Sequence, residues 1–202
     1  YKLRAYEIPD AGRQAKGTNL INLIAIEPDE KIQTVLTITD EKKEGFLFMG
    51  TKHGIVKKTP ISEFKNLRKN GLIAISLKDG DELLKVKNTY GDANIMVVTQ
   101  NGYAVKFNEK NVRSMGRTAS GVRAINLKDD DIAVCMDIAV DGEELLVISE
   151  NGYGKRTPIS QYKLQNRGGV GLITYKISDK TGKLAGATIC KVDDELMLVN
   201  SS

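Results

Sequence analysis

Residues 143–177 read EELLVISENGYGKRTPISQYKLQNRGGVGLITYKI, and they contain one whole copy of a unit that the rest of the chain repeats. The apolar run Leu145-Leu146-Val147-Ile148 predicts a strand, and Asn151-Gly152 predicts a tight hairpin turn, because that dipeptide tolerates positive φ. A second strand is expected over residues 153–157, carrying Lys155 and Arg156. Pro158 ends its ladder, since proline has no backbone N–H to donate. A loop or short helical turn follows over 159–165. The glycines of Arg167-Gly168-Gly169-Val170-Gly171 then free the backbone for sharp turns or close approach before a third strand at 172–177.

Working outward, the turn glycines Gly54, Gly102 and Gly152 stand 48 and 50 positions apart, and Gly17, Gly71, Gly121 and Gly171 stand 54, 50 and 50 apart. That spacing is an internal repeat. Three segments align along their length, about 44–89, 93–138 and 143–190, with a partial copy at 1–38 and the opening strand of a further one within 194–202. In the first full copy the strands fall at 46–49, 55–59, 72–77 and 83–86, with only a short helical stretch near 61–67 and its counterparts near 109–113 and 159–164. Four short strands per unit at a period near 50 predict an all-β, propeller-like stack of blades, each too small to bury its faces without neighbours.

Composition narrows the function. Hydrophobic residues make up 41% and charged residues 28% of the 202, with no Trp, so the chain has the material for a core. No apolar run approaches the ~20 residues of a membrane-spanning helix, and no signal peptide is visible. The opening YKLRAYEIPD reads as the middle of a strand, so the chain is expected to be a stretch of a longer protein. Cys135 and Cys190 sit in apolar strand-like surroundings and are read as buried free thiols of a reducing compartment.

Catalytic constellations are not found. His53 is the one histidine, and it lies in a turn, which leaves no imidazole for a hydrolytic triad. No cluster has metal-ligand spacing, and neither a metal nor a cofactor is expected. The run from Gly152 to Thr157 lacks the spacing of a phosphate-binding P-loop. Tyr153 and Tyr162 are read as strand or blade-core aromatics, and Asp129-Asp130-Asp131 as an acidic turn at a solvated edge.

Charge is sorted by repeat phase. Windows 1–26, 51–76, 101–126 and 151–176 hold 20 basic and 4 acidic residues, while the remaining windows hold 10 basic and 22 acidic. A net charge of +4 thus conceals +16 on one set of segments and −12 on the other. Equivalent positions of a radial repeat fall on one side, so this sorting predicts a basic rim. Such a rim matches a polyanion such as duplex DNA, which carries one charge every ~1.7 Å of its axis. The preferred phosphate contacts are Lys57, Lys58, Arg68, Arg117, Lys155, Arg156 and Arg167, followed by Arg13, Lys65, Lys69, Arg113 and Arg123. Lys106 and Lys163 recur at the same phase.

The series GIVKKTPISEF (Gly54 to Phe64), VRSMGRTASGVRAINL (Val112 to Leu127), NGYGKRTPISQY (Asn151 to Tyr162) and RQAKGTNLINLIAIEPDEKI (Arg13 to Ile32) closely resembles the C-terminal domain of the bacterial DNA gyrase A protein. The resemblance covers essentially the whole chain. It implies a β-pinwheel, a ring of blades incomplete here, which binds and bends double-stranded DNA around its perimeter. It further implies a non-catalytic domain that works with the remainder of the gyrase A protein and with the gyrase B protein in ATP-dependent negative supercoiling, in the bacterial cytoplasm at the nucleoid, without a membrane. Gln165 to Gly171 resembles the family's gyrase box but has Val170 where the box carries Lys, and is read as a degenerate copy in a later blade. The corresponding protein of topoisomerase IV has a related C-terminal domain and is the near alternative. The alternative of another class is a propeller scaffold whose basic rim docks an acidic protein partner.

Overall fold

The structure is a computed structural model, and it describes residues 1–27, 30–38, 44–66 and 70–197. The elements are all β, apart from short 3-10 turns. The first repeat supplies β1 (Phe46–Thr51), β2 (Ile55–Pro60) and β3 (Leu83–Thr89), and the second supplies β4 (Asn94–Thr99), β5 (Tyr103–Asn108), β6 (Val122–Arg123) and β7 (Ala133–Ile138). The third supplies β8 (Glu144–Ser149), β9 (Gly154–Pro158), β10 (Leu172–Ile173) and β11 (Leu184–Cys190). Each repeat opens with an antiparallel hairpin whose turn glycine has positive φ, +71° at Gly54, +83° at Gly102 and +79° at Gly152. The expected short helical stretches are 3-10 turns at Ile61–Phe64, Glu109–Asn111 and Ile159–Gln161.

Sheet order differs from the simple blade expected. The sheets read β3-β1-β2-β6, β10-β5-β4-β7 and β11-β8-β9. The third strand predicted at 72–77 is absent, since those residues lie outside any strand, and its counterparts β6 and β10 pair with the sheet of the preceding repeat. Ile55 faces Arg123 and Val56 faces Val122, while Tyr103 faces Ile173 and Ala104 faces Leu172. Two glycines make the crossing possible. A Cβ on Gly121 would lie 2.6 Å from Val56 O, and one on Gly171 would lie 2.5 Å from Ala104 O, so only a residue without a side chain lets the incoming backbone this close. The N–H groups of Ala124 and Thr174 then donate to Gly54 O and Gly102 O of the earlier hairpins, each at 2.8 Å.

The sheets pack face to face through two apolar layers. Phe48, Val56, Ile95, Val97, Phe107, Ile125 and Met136 fill the first, and Met96, Val98, Leu145, Val147, Ile159, Tyr162 and Leu184 fill the second. Alternate residues of β4 point to opposite layers, so the strand is buried on both faces and reads as an unbroken apolar run rather than an alternating one. Cys135 and Cys190 are buried free thiols, and burial, followed by the charge of Asp137, pushes the Cys135 thiol up to about 12. Tyr162 is a core residue hydrogen-bonded to the Thr174 hydroxyl. Tyr153 is not: it is 41% exposed beside the hairpin turn, with the Lys180 ammonium 5.4 Å from its ring centroid.

Two other expectations change. The opening residues read as strand in the sequence, but the described parts of 1–38 form only the turns Ala5–Glu7 and Leu20–Asn22. The opening strand expected at the far end is also missing from residues 194–197, and residues 198–202 lie outside the described ones. Within the acidic run, Asp131 is buried and its Oδ1 accepts the N–H groups of Asn101 and Ile132 at 2.9 Å. Asp81 does the same for His53 and Glu82 at 2.9 Å, so this aspartate is a repeated turn clasp.

Buried carboxylates join neighbouring strands. Glu109 has no exposed surface; its Oε1 accepts Gly91 N at 2.9 Å and Ala93 N at 2.8 Å, and its Oε2 accepts the Thr89 hydroxyl at 2.7 Å. Asp137 on β7 holds Lys85 and Lys87 of β3 at 2.8 and 2.7 Å, tying the second sheet to the first. Burial works to raise the Asp137 pKa, but the hydrogen bonds and charges of the two lysines outweigh it and hold the carboxyl below its ordinary value. Glu109→Ala is expected to cost about 3 kcal/mol in urea unfolding, because it strands the buried Thr89 hydroxyl, the half-buried N–H groups of Gly91 and Ala93 and the neighbouring ammonium of Lys58. Since the folded pKa of Asp137 is depressed, its stabilisation is complete above the unfolded value of about 3.9 and is lost as pH falls through the folded one. Melting temperature against pH should therefore fall more steeply in acid for the wild type than for Asp137→Asn.

Candidate nucleic-acid interface

The loop after the second strand of each repeat carries most of the predicted basic residues, and the strand exchange lays that loop against the second strand of the preceding sheet. Ser114 bridges to Lys58 and Leu164 to Lys106, both in parallel. Met115 N donates to Lys58 O and Gln165 N to Lys106 O, each at 2.8 Å. The loops of the second and third repeats therefore line the same, second-strand edge of successive sheets.

The lysines of that edge separate into two sets. Lys57 has no exposed surface: its ammonium donates to Ala74 O at 2.6 Å and to Arg117 O, and burial together with the Arg117 charge pushes its pKa down to about 8. Lys58 is 7% exposed and reaches across to the next repeat, donating to Glu109 O at 3.0 Å, 3.9 Å from Glu109 Oε2 and 5.1 Å from the Phe46 ring centroid. Lys106 repeats the reach, donating to Ile159 O at 3.1 Å with 8% exposure. Each latches a strand to the first carbonyl of the following 3-10 turn. This corrects the expectation of phosphate contacts at Lys57 and Lys58, because their head groups are buried and already occupied.

The other predicted residues lie at the surface. Arg13, Lys65, Arg113, Arg123, Lys155 and Lys163 are exposed, and Arg117 and Arg167 are half-buried. Arg167 spans two repeats, with Nε donating to Asn111 O at 2.9 Å and Nη1 to Arg123 O at 3.0 Å. Its remaining N–H groups have no partner among the described residues. Within the same box-like loop, Gly168 N donates to Ala124 O at 2.6 Å and Gly169 O accepts Asn126 N at 2.8 Å, so the loop is a joint between repeats as well as a carrier of charge. Arg123 donates from Nη1 to Asn126 Oδ1 at 3.2 Å, and the Lys155 ammonium lies 6.0 Å from the Tyr175 ring centroid. Arg68 and Lys69 lie outside the described residues.

Acidic neighbours do not neutralise this edge. Among the described residues, ion pairs with carboxylates take up Lys52, Lys58, Lys85, Lys87 and Lys110, and of the exposed edge set only Arg156, which is 3.3 Å from Glu144 Oε2. The segregation of charge visible in the sequence thus survives folding at Arg113, Arg117, Arg123, Lys155 and Arg167. Three roles escaped sequence reading: the latches of Lys58 and Lys106, the carboxylate hub at Glu109, and the span of Arg167. One signal was present for the latches, since Lys106 stands between apolar residues inside a strand, in Ala104-Val105-Lys106-Phe107. The hub carried none, because its donors come from residues 16 to 20 positions away.

Comparison with known proteins agrees with this architecture. The DNA gyrase A protein of Clostridium acetobutylicum is 63% identical over 201 residues, covering 100% of this chain and 24% of that protein. The chain thus spans about a quarter of the length of this relative. A solved DNA gyrase A C-terminal domain superposes with a TM-score of 0.81 at 30% identity, covering 96% of this chain and 63% of that one. The C-terminal domain of a DNA topoisomerase IV also gives 0.81, at 29% identity, covering 87% of this chain and 55% of that one. The family profile described as DNA gyrase C-terminal domain, beta-propeller, matches residues 1–39, 45–89, 93–134 and 143–191. With repeats, exchanged strands and this match in agreement, the chain belongs to the DNA gyrase C-terminal domain family of β-propellers.

Proposed function

We propose that the second-strand edge binds duplex DNA through its phosphates and bends it along the stacked sheets, and that the chain is the non-catalytic, DNA-wrapping part of a gyrase A protein. It serves with the rest of that protein and with gyrase B in ATP-driven negative supercoiling in the bacterial cytoplasm. The observation that carries the reading is the set Arg113, Arg117, Arg123 and Arg167 in the crossing segments of two repeats: none has a carboxylate partner among the described residues, and Arg167 donates to backbone carbonyls of the second repeat. Arginine suits this task because its fork can donate to a backbone carbonyl and a phosphate at once. Lys65, Lys155, Arg156 and Arg13 are further exposed cations available to the contact, and Arg68 and Lys69 belong to the same loop phase. Contacts to phosphate carry little sequence information, so preference among sequences should be weak and should follow deformability.

Bending 20–30 bp by 40–90° costs about 1–6 kcal/mol, which several charge-assisted phosphate contacts offset. The sequence relatives favour gyrase over topoisomerase IV, although the fold resembles both.

Duplex affinity measured by fluorescence anisotropy should fall steeply as salt rises, and Arg113→Ala and Arg117→Ala should each reduce the log–log slope by about 1. Lys58→Met and Lys106→Met should instead lower the melting temperature and leave the slope nearly unchanged. A flat salt response, or tighter binding to an acidic polypeptide than to duplex, would sink the DNA reading.

A further inference from the structure

Where the third segment of the second repeat crosses onto the first sheet, a cavity of about 200 Å³ opens beside the basic edge. Ser76, Lys78, Ser120 and Arg123 line it, together with Thr51 and Asp81. Among the described residues the Arg123 guanidinium donates only from Nη1, to Asn126 Oδ1, so its other N–H groups remain available to a ligand. Lys78 and Ser120 are exposed, and neither side chain has a polar partner among the described residues. The Ser76 hydroxyl donates to Thr118 O at 2.7 Å and so fixes the wall. Asp81 is the one carboxylate of the lining, and its Oδ1 is engaged by the two N–H groups of its turn clasp. With Lys78 and Arg123 both cationic, the lining is positive on balance.

The corresponding junction between the second and third repeats is a built-in contrast. Thr99, Lys128 and Asp131 stand there in the places of Thr51, Lys78 and Asp81, but Val170 replaces Ser120 and Ile173 replaces Arg123. Ile173 pairs with Tyr103 just as Arg123 pairs with Ile55, and is 70% exposed. The fold therefore accepts either residue, and packing is not what calls for arginine at 123. Lys128 is drawn over the Tyr103 ring, 5.4 Å from its centroid, whereas Lys78 has no aromatic partner among the described residues.

We propose that the cavity at the first junction seats a single phosphate group, with Arg123 and Lys78 supplying charge and Ser120 a hydroxyl donor, and that the second junction does not. The group comes from the backbone of a bound duplex or from a free phosphate ion. Seating a DNA phosphate rests on the DNA-binding reading above, whereas seating the free ion does not. DNA would then be gripped unequally along the edge, held at one junction by a shaped seat and at the next by surface charge alone.

The experiment uses the 202-residue chain and its double variant Ser120→Val/Arg123→Ile, which gives the first junction the residues that the second already carries. Amide shifts are followed while sodium phosphate is titrated at constant ionic strength. Saturable shifts at Ser76, Lys78, Ser120 and Gly121 are expected in the wild type and not in the variant. In a salt series with duplex, the variant should lose about 1 from the log–log slope, and the reciprocal Val170→Ser/Ile173→Arg should gain about 1. The reciprocal variant reads the same seat if the first should fold poorly. No saturable phosphate shifts, together with slopes that neither exchange moves, would overturn the seat while leaving DNA binding intact. Phosphate shifts in a chain that binds no duplex would uphold the seat and remove the DNA reading.

Discussion

Backbone pairing across repeats is the constraint on which the rest of the molecule depends. Val122–Arg123 completes the first sheet and Leu172–Ile173 the second, so neither repeat closes its own sheet. A sheet that borrows its last strand from its neighbour cannot slide or rotate against that neighbour without breaking backbone hydrogen bonds. The two apolar layers then have one register in which to pack, with Met96 and Val98 on one face of β4 and Ile95 and Val97 on the other. Nearest-neighbour coupling of this kind distributes stability over the repeat junctions rather than over separate units.

Charge follows from the same geometry. Once a loop crosses onto the preceding sheet, the second-strand lysines of that sheet find themselves beside the loop's carbonyls rather than beside water. Lys58 and Lys106 become interior donors, and Lys57 becomes a bridge between Ala74 O and Arg117 O. A buried ammonium is tolerated only where oxygen atoms replace its hydration, and these carbonyls, with Glu109 beside Lys58, provide that replacement. The arginines of the crossing loops keep their outer N–H groups. Those are the groups left to meet an anion.

For the proposed wrapping role, this division is useful in a physical sense. Charges mounted on exchanged strands and latched loops are held in place before any ligand arrives, so less ordering has to accompany binding. Arg167 shows the coupling directly, because the guanidinium that holds the second and third loops together is itself only half-buried.

The amino-acid sequence by itself determined the repeat, the hairpins, the positions of the short helical turns, the two buried thiols, the family and the phase at which basic residues recur. All of these rest on short-range signals, namely glycine where φ is positive, proline where a ladder ends, apolar runs of strand length and charge at fixed spacing. Only the tertiary structure decided that the segment at 122–123 belongs to the sheet before it, that Lys57 and Lys58 are interior while Arg123 is not, and that Tyr153 is surface while Tyr162 is core. A strand edge offers the same N–H and C=O groups to any partner, and a lysine stem is long enough to bury or to expose its charge. Which outcome holds depends on what other parts of the chain bring alongside, and no local pattern records that.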